Sequence, residues 1–163
     1  MQEMDLLGVR VEMPANAPMV LLRERSGGGR TVPIFIGAPE ATSIAMALDG
    51  VETPRPMTHD LMRDVLEALA ADLDRVVVTE LHEKTFYAEL HLVAGGERRV
   101  VSCRPSDGIA VAVRTGTPIF VHDDVIEEVG FVDGEDVEDD QPEEVVEEFK
   151  EFLDTISPED FED

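Results

Sequence analysis

The chain has 163 residues, 43% of them hydrophobic, and its 37 acidic and 13 basic side chains give a formal net charge of −24. No apolar run approaches the roughly 18 residues of a membrane-spanning helix, and no signal-peptide pattern is present, so we expect a soluble, cytoplasmic protein without a membrane partner. The single cysteine, Cys103, excludes an internal disulfide and a multi-cysteine zinc site, and the acidity argues against tight nonspecific binding to nucleic acids.

The first part of the chain shows three strand patterns followed by two helix patterns. Alternating apolar residues in MDLLGVRVEM, and the apolar segments MVLLRER and RTVPIFIG on either side of SGGG, predict three strands. The segment APEATSIAMALDG has Pro39 near its start and Gly50 at its end, which is typical of a helix. A second helix is predicted for THDLMRDVLEALAADL, with Thr58 as N-cap and these apolar residues on one stripe: Leu61, Met62, Val65, Leu66 and Leu69.

The second part of the chain repeats this order. Strands are predicted for DRVVVTEL, TFYAELHLV and the ERRVVSC that follows a glycine turn, and RPSDGIAVAVRTG predicts a helix that begins at a proline. The segment IAMALDG at 44–50 corresponds to IAVAVRTG at 109–116, and the pairs TP and HD recur 64 and 63 residues later. This nearly constant offset predicts a duplicated unit.

Acidic residues are concentrated at the C-terminal end. From residue 123 onward there are 20 acidic side chains and one basic side chain, whereas the first 122 residues hold 17 acidic and 12 basic ones. The pattern predicts a domain over 1–132, an acidic linker over 133–141 and an acidic amphipathic helix within 142–163. This helix is expected to dock on the domain, a second subunit or another protein through its apolar residues: Val145, Val146, Phe149, Phe152, Leu153 and Ile156.

Polar side chains recur where the predicted helices begin. Each acidic residue alone suits the ordinary capping of a helix N-terminus. Together with arginines, however, they suit metal-assisted phosphodiester hydrolysis, which needs carboxylates for Mg²⁺ or Mn²⁺, a water-activating group and a cation beside the developing charge. No pattern for an organic cofactor is present. In this hypothesis Glu40, Asp60 and Asp107 bind metal, His59 is the base or a further ligand, and Arg55 or Arg104 holds the phosphate.

Four segments in order, VPIFIGAPEATSIAMALDG, PRPMTHDLM, TFYAEL and RPSDGIAVAVRTGTPIFV, resemble the bifunctional nuclease domain family. The likeness covers about residues 4–130. It implies an α+β fold in which two repeats of three strands and two helices surround one barrel-like mixed sheet. It also implies assembly into homo-oligomers and, as described for plant members, nuclease activity on RNA and DNA. The six candidate site residues all lie in or beside the matching segments.

The sequence departs from the family pattern beside the last of these segments. Ser102 and Cys103 stand where the family usually has an aspartate followed by a small residue, and Gly108 replaces an alanine. The missing aspartate removes one potential metal ligand. The chain is therefore expected to be a metal-dependent nuclease acting on single-stranded RNA or DNA, or alternatively a noncatalytic homo-oligomeric module that recruits a protein partner through its C-terminal helix.

Overall fold

A computed structural model describes residues 1–132, so the predicted linker 133–141 and the predicted helix in 142–163 lie outside the described residues. The described part contains both strands and helices. The strands are β1 (Gln2–Glu12), β2 (Ala17–Glu24), β3 (Arg30–Phe35), β4 (Ala71–His82), β5 (Thr85–Ala94), β6 (Glu97–Cys103), β7 (Ile119–Val121) and β8 (Phe131–Val132). The helices are α1 (Ala38–Leu48), α2 (Thr58–Ala68), α3 (Pro105–Thr115) and α4 (Asp123–Val129).

The described strands form one mixed sheet in the order β6-β5-β4-β7-β1-β2-β3-β8. Neighbours along the chain pair antiparallel within β1 to β3 and within β4 to β6, because short turns connect them. The short β7 joins the two halves, antiparallel to β1 and parallel to β4. The predicted α+β class is confirmed. The described sheet has β6 and β8 as its edge strands, which do not pair with each other, so it does not close into a barrel.

Each half of the described chain has three antiparallel strands followed by two helices. The second half also contains β7 between its helices, which the sequence did not predict. The duplication stays a prediction, because a shared element order does not by itself establish a repeat. The predicted second helix was wrong at both ends: the N-cap of α2 is Met57 and not Thr58. The helix ends at Ala68, Ala70 has a positive φ of 49°, and β4 begins at Ala71.

The helix α3 packs most deeply against the sheet. Its buried residues include Ile109, Ala110, Val111 and Ala112, which are at most 1% exposed. The lack of a side chain at Gly108 lets the helix approach β4 and β5 closely, as expected for a helix rich in small residues. Among residues 1–132, no helix has the length and hydropathy needed to cross a membrane.

The helix α2 packs less deeply than its pattern suggests. An apolar stripe normally faces the core, but Leu61, Val65 and Leu69 are 54%, 46% and 70% exposed. The buried residue of α2 is instead polar, namely His59. The reason is that α2 turns its polar first turn toward α1 and α3, where His59 has hydrogen-bond partners.

Candidate functional site

Side chains from α1, α2 and α3 meet in one hydrogen-bonded group. We call this group the three-helix cluster. It consists of Glu40 and Ser43 from α1, His59 and Asp60 from α2, and Arg104, Asp107 and Arg114 from α3 and its N-cap. Pro39 and Pro105 lie in the first turns of α1 and α3, where a proline is favoured because its missing N–H would have no partner in the helix.

Arg104 forms the exposed side of the cluster. Its Nε and Nη2 donate to the two carboxylate oxygens of Asp107, over 2.8 and 3.0 Å, and its Nη1 lies 3.0 Å from Oε1 of Glu40. A guanidinium has five N–H donors, so two of them have no partner within residues 1–132. The side chain is 65% exposed, whereas those of Glu40 and Asp107 are 17% and 22% exposed. The two carboxylates therefore orient a cation that faces solvent.

His59 forms the buried centre of the cluster. The residue is 7% exposed, and both of its ring nitrogens have partners. Its Nε2 lies 3.0 Å from Oδ1 of Asp107, and its Nδ1 lies 2.8 Å from Oγ of Ser43. The ring thus links α1 to α3 through α2.

Arg114 forms the inner side of the cluster, with a side chain that is only 6% exposed. It donates to Oδ1 of Asp60 over 2.6 Å, to the carbonyl of Ala110 over 2.8 Å, and to the hydroxyl and carbonyl oxygens of Ser43 over 3.1 and 3.2 Å. The other oxygen of Asp60 accepts the backbone N–H of Met57 over 3.0 Å. Asp60 is therefore fully engaged and bonds to Arg114 rather than to Arg104.

Both aspartates of the cluster are ionised at neutral pH. Burial raises the pKa of Asp107, but the hydrogen bonds from Arg104 and His59 outweigh burial and bring that pKa below its usual value. The hydrogen bond from Arg114, followed by the one from Met57, lowers the pKa of Asp60. Each carboxylate can therefore accept hydrogen bonds but cannot donate one.

The predicted metal ligands do not form a metal centre in this arrangement. Within residues 1–132, no three His, Cys, Asp or Glu side chains are grouped so that they could hold a metal ion. Glu40 and Asp107 both contact Arg104, while Asp60 contacts Arg114. The carboxylates thus pair with arginines, and the metal dependence expected from the sequence stays a prediction.

One predicted residue lies apart from the cluster, and two members of the cluster were missed. Arg55 is exposed, and its guanidinium has no hydrogen bond or ion pair among the described residues. Sequence reasoning did not select Ser43 or Arg114. The available signal was Arg114 itself, the one charged residue in the apolar segment IAVAVRTG, because a buried arginine requires a carboxylate partner.

Comparison with known proteins decides the family. The sequence profile of the bifunctional nuclease domain matches residues 20–133. The chain belongs to the bifunctional nuclease domain family. This confirms the resemblance seen in the sequence. The matched range contains every member of the three-helix cluster, including Ser43 and Arg114.

Relatives of this bifunctional nuclease domain fall into two groups. An uncharacterized protein of Mycobacterium tuberculosis is 45% identical, over 99% of this chain and 98% of its own length. The protein named bifunctional nuclease 2 of Arabidopsis thaliana is 28% identical over 68% of this chain, and that of Oryza sativa subsp. japonica is 25% identical over 71%. The chain spans only 35% and 36% of these two plant proteins.

Proposed function

We propose that this domain hydrolyses phosphodiester bonds in single-stranded RNA or DNA at the exposed side of the three-helix cluster. The observation that carries the proposal is the exposed guanidinium of Arg104, which has two N–H donors without partners in the described chain. A phosphate accepts such donors pairwise. The names of the plant relatives support the same class of reaction.

The contacts of Arg104 suit it to binding a reacting phosphate. Asp107 and Glu40 hold its guanidinium in place before substrate arrives, so little reorganisation is needed when negative charge develops on the phosphate oxygens. In hydrolysis, the oxygen of water attacks phosphorus and the bond to the leaving oxygen breaks. One proton of the water must go to a base, and the leaving oxygen gains a proton. Glu40 meets Arg104 through Oε1, which leaves Oε2 to accept a hydrogen bond from water.

Dependence on Mg²⁺ or Mn²⁺ is part of this proposal, as expected from the acidic residues at the starts of the helices. The described carboxylates do not provide a ready ligand set for either ion. The reaction is therefore assayed with Mg²⁺, with Mn²⁺ and with a chelator. Activity that is unchanged by the chelator would remove metal dependence from the proposal and leave hydrolysis in place.

A matched pair of arginine variants tests the proposed site. Arg104→Gln removes the oriented cation, and we expect it to lower the rate of cleavage of a labelled single strand by about 10²–10³-fold. Arg55→Gln removes an exposed cation outside the cluster and should change the rate by no more than a few-fold. Equal activity in wild type and Arg104→Gln, with the same protein purity, would show that cleavage occurs elsewhere or comes from a contaminant.

A second candidate function is the noncatalytic homo-oligomeric module. The exposed apolar stripe of α2, formed by Leu61, Val65 and Leu69, favours it, because exposed apolar patches often mark contact surfaces between proteins. Light scattering of wild type and of the Leu61→Gln/Val65→Gln double variant tests this function. A lower mass for a folded double variant supports the module, and a monomeric wild type contradicts it. The proposed partner of the C-terminal helix concerns residues outside the described range.

A further inference from the structure

A chain of hydrogen bonds runs from Arg114 through Ser43 and His59 to Asp107. The chemistry of the two end residues determines where the hydrogens of this chain lie. At one end, the guanidinium of Arg114 can only donate, so Oγ of Ser43 accepts the 3.1 Å hydrogen bond from Nη2. At the other end, the carboxylate of Asp107 can only accept. The 3.0 Å contact between Asp107 and His59 therefore requires a hydrogen on Nε2 of His59.

The contact between Ser43 and His59 lies between these two ends. In a neutral ring with hydrogen on Nε2, the Nδ1 atom has a lone pair and accepts the hydroxyl hydrogen of Ser43 over 2.8 Å. Every donor then points the same way, from Arg114 through Ser43 and His59 to Asp107. A second ring hydrogen, on Nδ1, would make Oγ of Ser43 accept two hydrogen bonds and would leave the hydroxyl hydrogen of Ser43 without an acceptor among its contacts in residues 1–132.

We infer that Arg114 and Ser43 are positioning residues that orient the ring of His59 so that Nε2 donates to Asp107 and Nδ1 accepts from Ser43, and that His59 therefore orients Asp107 and is not the base of the reaction. A base needs an accessible lone pair within reach of the proton that it removes. In this arrangement the lone pair of Nδ1 is occupied by Ser43, and the ring is buried. The catalytic half of this inference rests on the proposed function, whereas the tautomer does not.

Activity measurements separate a positioning residue from a base. His59→Gln retains an N–H group that can donate to Asp107, so we expect it to lose less than about tenfold in rate, while His59→Ala loses more. Removal of a general base costs about 10²–10⁴-fold. Equal losses of that size in both variants would overturn the positioning role. A wild type with no activity would count against the proposed function alone, and the tautomer would still be tested by spectroscopy.

The tautomer itself is measured by nitrogen-15 NMR of the histidine rings in the full chain near neutral pH. The chain has four histidines, and the His59 signals are assigned by their absence from His59→Gln. We expect the form with hydrogen on Nε2 to exceed the other neutral form by at least about tenfold, because a hydrogen bond to a charged acceptor is worth a factor of this order. A wild-type His59 ring with hydrogen on Nδ1, or on both nitrogens, would overturn the inference.

Two hydroxyl variants then test the role of Ser43. Ser43→Ala removes the donor to Nδ1, and we expect the Nδ1 signal of His59 to shift while Nε2 keeps its hydrogen for Asp107. Thr42→Ala is the matched control, since its hydroxyl lies on the exposed side of the same helix and donates to the carbonyl of Ala38. A His59 spectrum that is identical in Ser43→Ala and wild type would show that Asp107 alone fixes the tautomer and would overturn the role of Ser43.

Discussion

Gly108 and Cys103, two positions where the sequence was expected to depart from the family pattern, lie side by side at the point where α3 meets the sheet. A Cβ added to Gly108 would lie 2.7 Å from Cγ1 of Val76 and 3.4 Å from Sγ of Cys103. Val76 is fully buried, so its short side chain has little room to move. The side chain of Cys103 therefore packs against the position where a side chain at residue 108 would begin.

Gly108→Ala should therefore destabilise the domain. Overpacking costs about 1–3 kcal/mol, and the better helix propensity of alanine offsets about 1 kcal/mol of this. The free energy of unfolding from urea titrations measures the difference. In the Val76→Ala background the same substitution should cost less, because the clash is removed. An increase in stability in the wild-type background would show that Val76 shifts without strain.

The ion pairs of the cluster make stability depend on acidic pH. A carboxylate whose pKa is lowered by folding contributes stability that is present above its unfolded pKa, near 3.9, and is lost as pH falls through its folded pKa. The pKa values of Asp60 and Asp107 are both lowered. The free energy of unfolding should therefore fall as pH drops below about 4.

Two asparagine variants test this dependence by urea titration across the acidic range. Asp60→Asn should weaken the loss of stability below about pH 4, since it removes one of the groups that binds a proton on unfolding. Asp49→Asn is the control, because the side chain of Asp49 has no hydrogen bond or ion pair among the described residues. An unchanged acid profile in Asp60→Asn would contradict the assignment.

At the scale of elements, α3 and α2 have similar lengths but different burial. Ile109 on α3 is fully buried, whereas Leu69 at the end of α2 is 70% exposed. Ile109→Ala should lower the free energy of unfolding by about 2–5 kcal/mol, and Leu69→Ala by no more than about 0.5 kcal/mol. Urea unfolding of the two variants measures both values. Similar losses would mean that the α2 stripe is covered in solution, which would favour the oligomeric module.

Most elements could be predicted from local pattern, and the exceptions have physical reasons. The alternation in β1 and the proline and small residues of α3 are local features, so the sequence alone reveals them. The strand β7 has only three residues, too few for a period, and it exists because both β1 and β4 pair with it. The orientation of α2 could not be predicted, since a helix pattern does not specify which neighbour each face will meet.

At the scale of the whole molecule, residues 1–132 should fold without the rest of the chain. They belong to one compact unit and hold 21 acidic and 12 basic side chains, a net charge of −9 instead of −24. Truncation after residue 132 also removes the electrostatic repulsion among the acidic side chains of the deleted segment. The truncated protein should show the same cooperative thermal unfolding, followed by circular dichroism, as the full chain. Loss of that transition would contradict the predicted boundary at residue 132.

The sequence by itself determined the α+β class, the places where α1, α2 and α3 begin, and the acidic and basic residues located there. It also placed the chain in its family through ordered motifs. Only the tertiary structure decided which of these side chains meet. His59 reaches Ser43 and Asp107 across 16 and 48 residues, and Arg114 reaches Ser43 across 71. Such pairings depend on how three helices pack, which local periodicity does not encode. The sequence therefore could not show that Asp60 bonds to Arg114. Nor could it show that the guanidinium of Arg55 has no partner among the described residues.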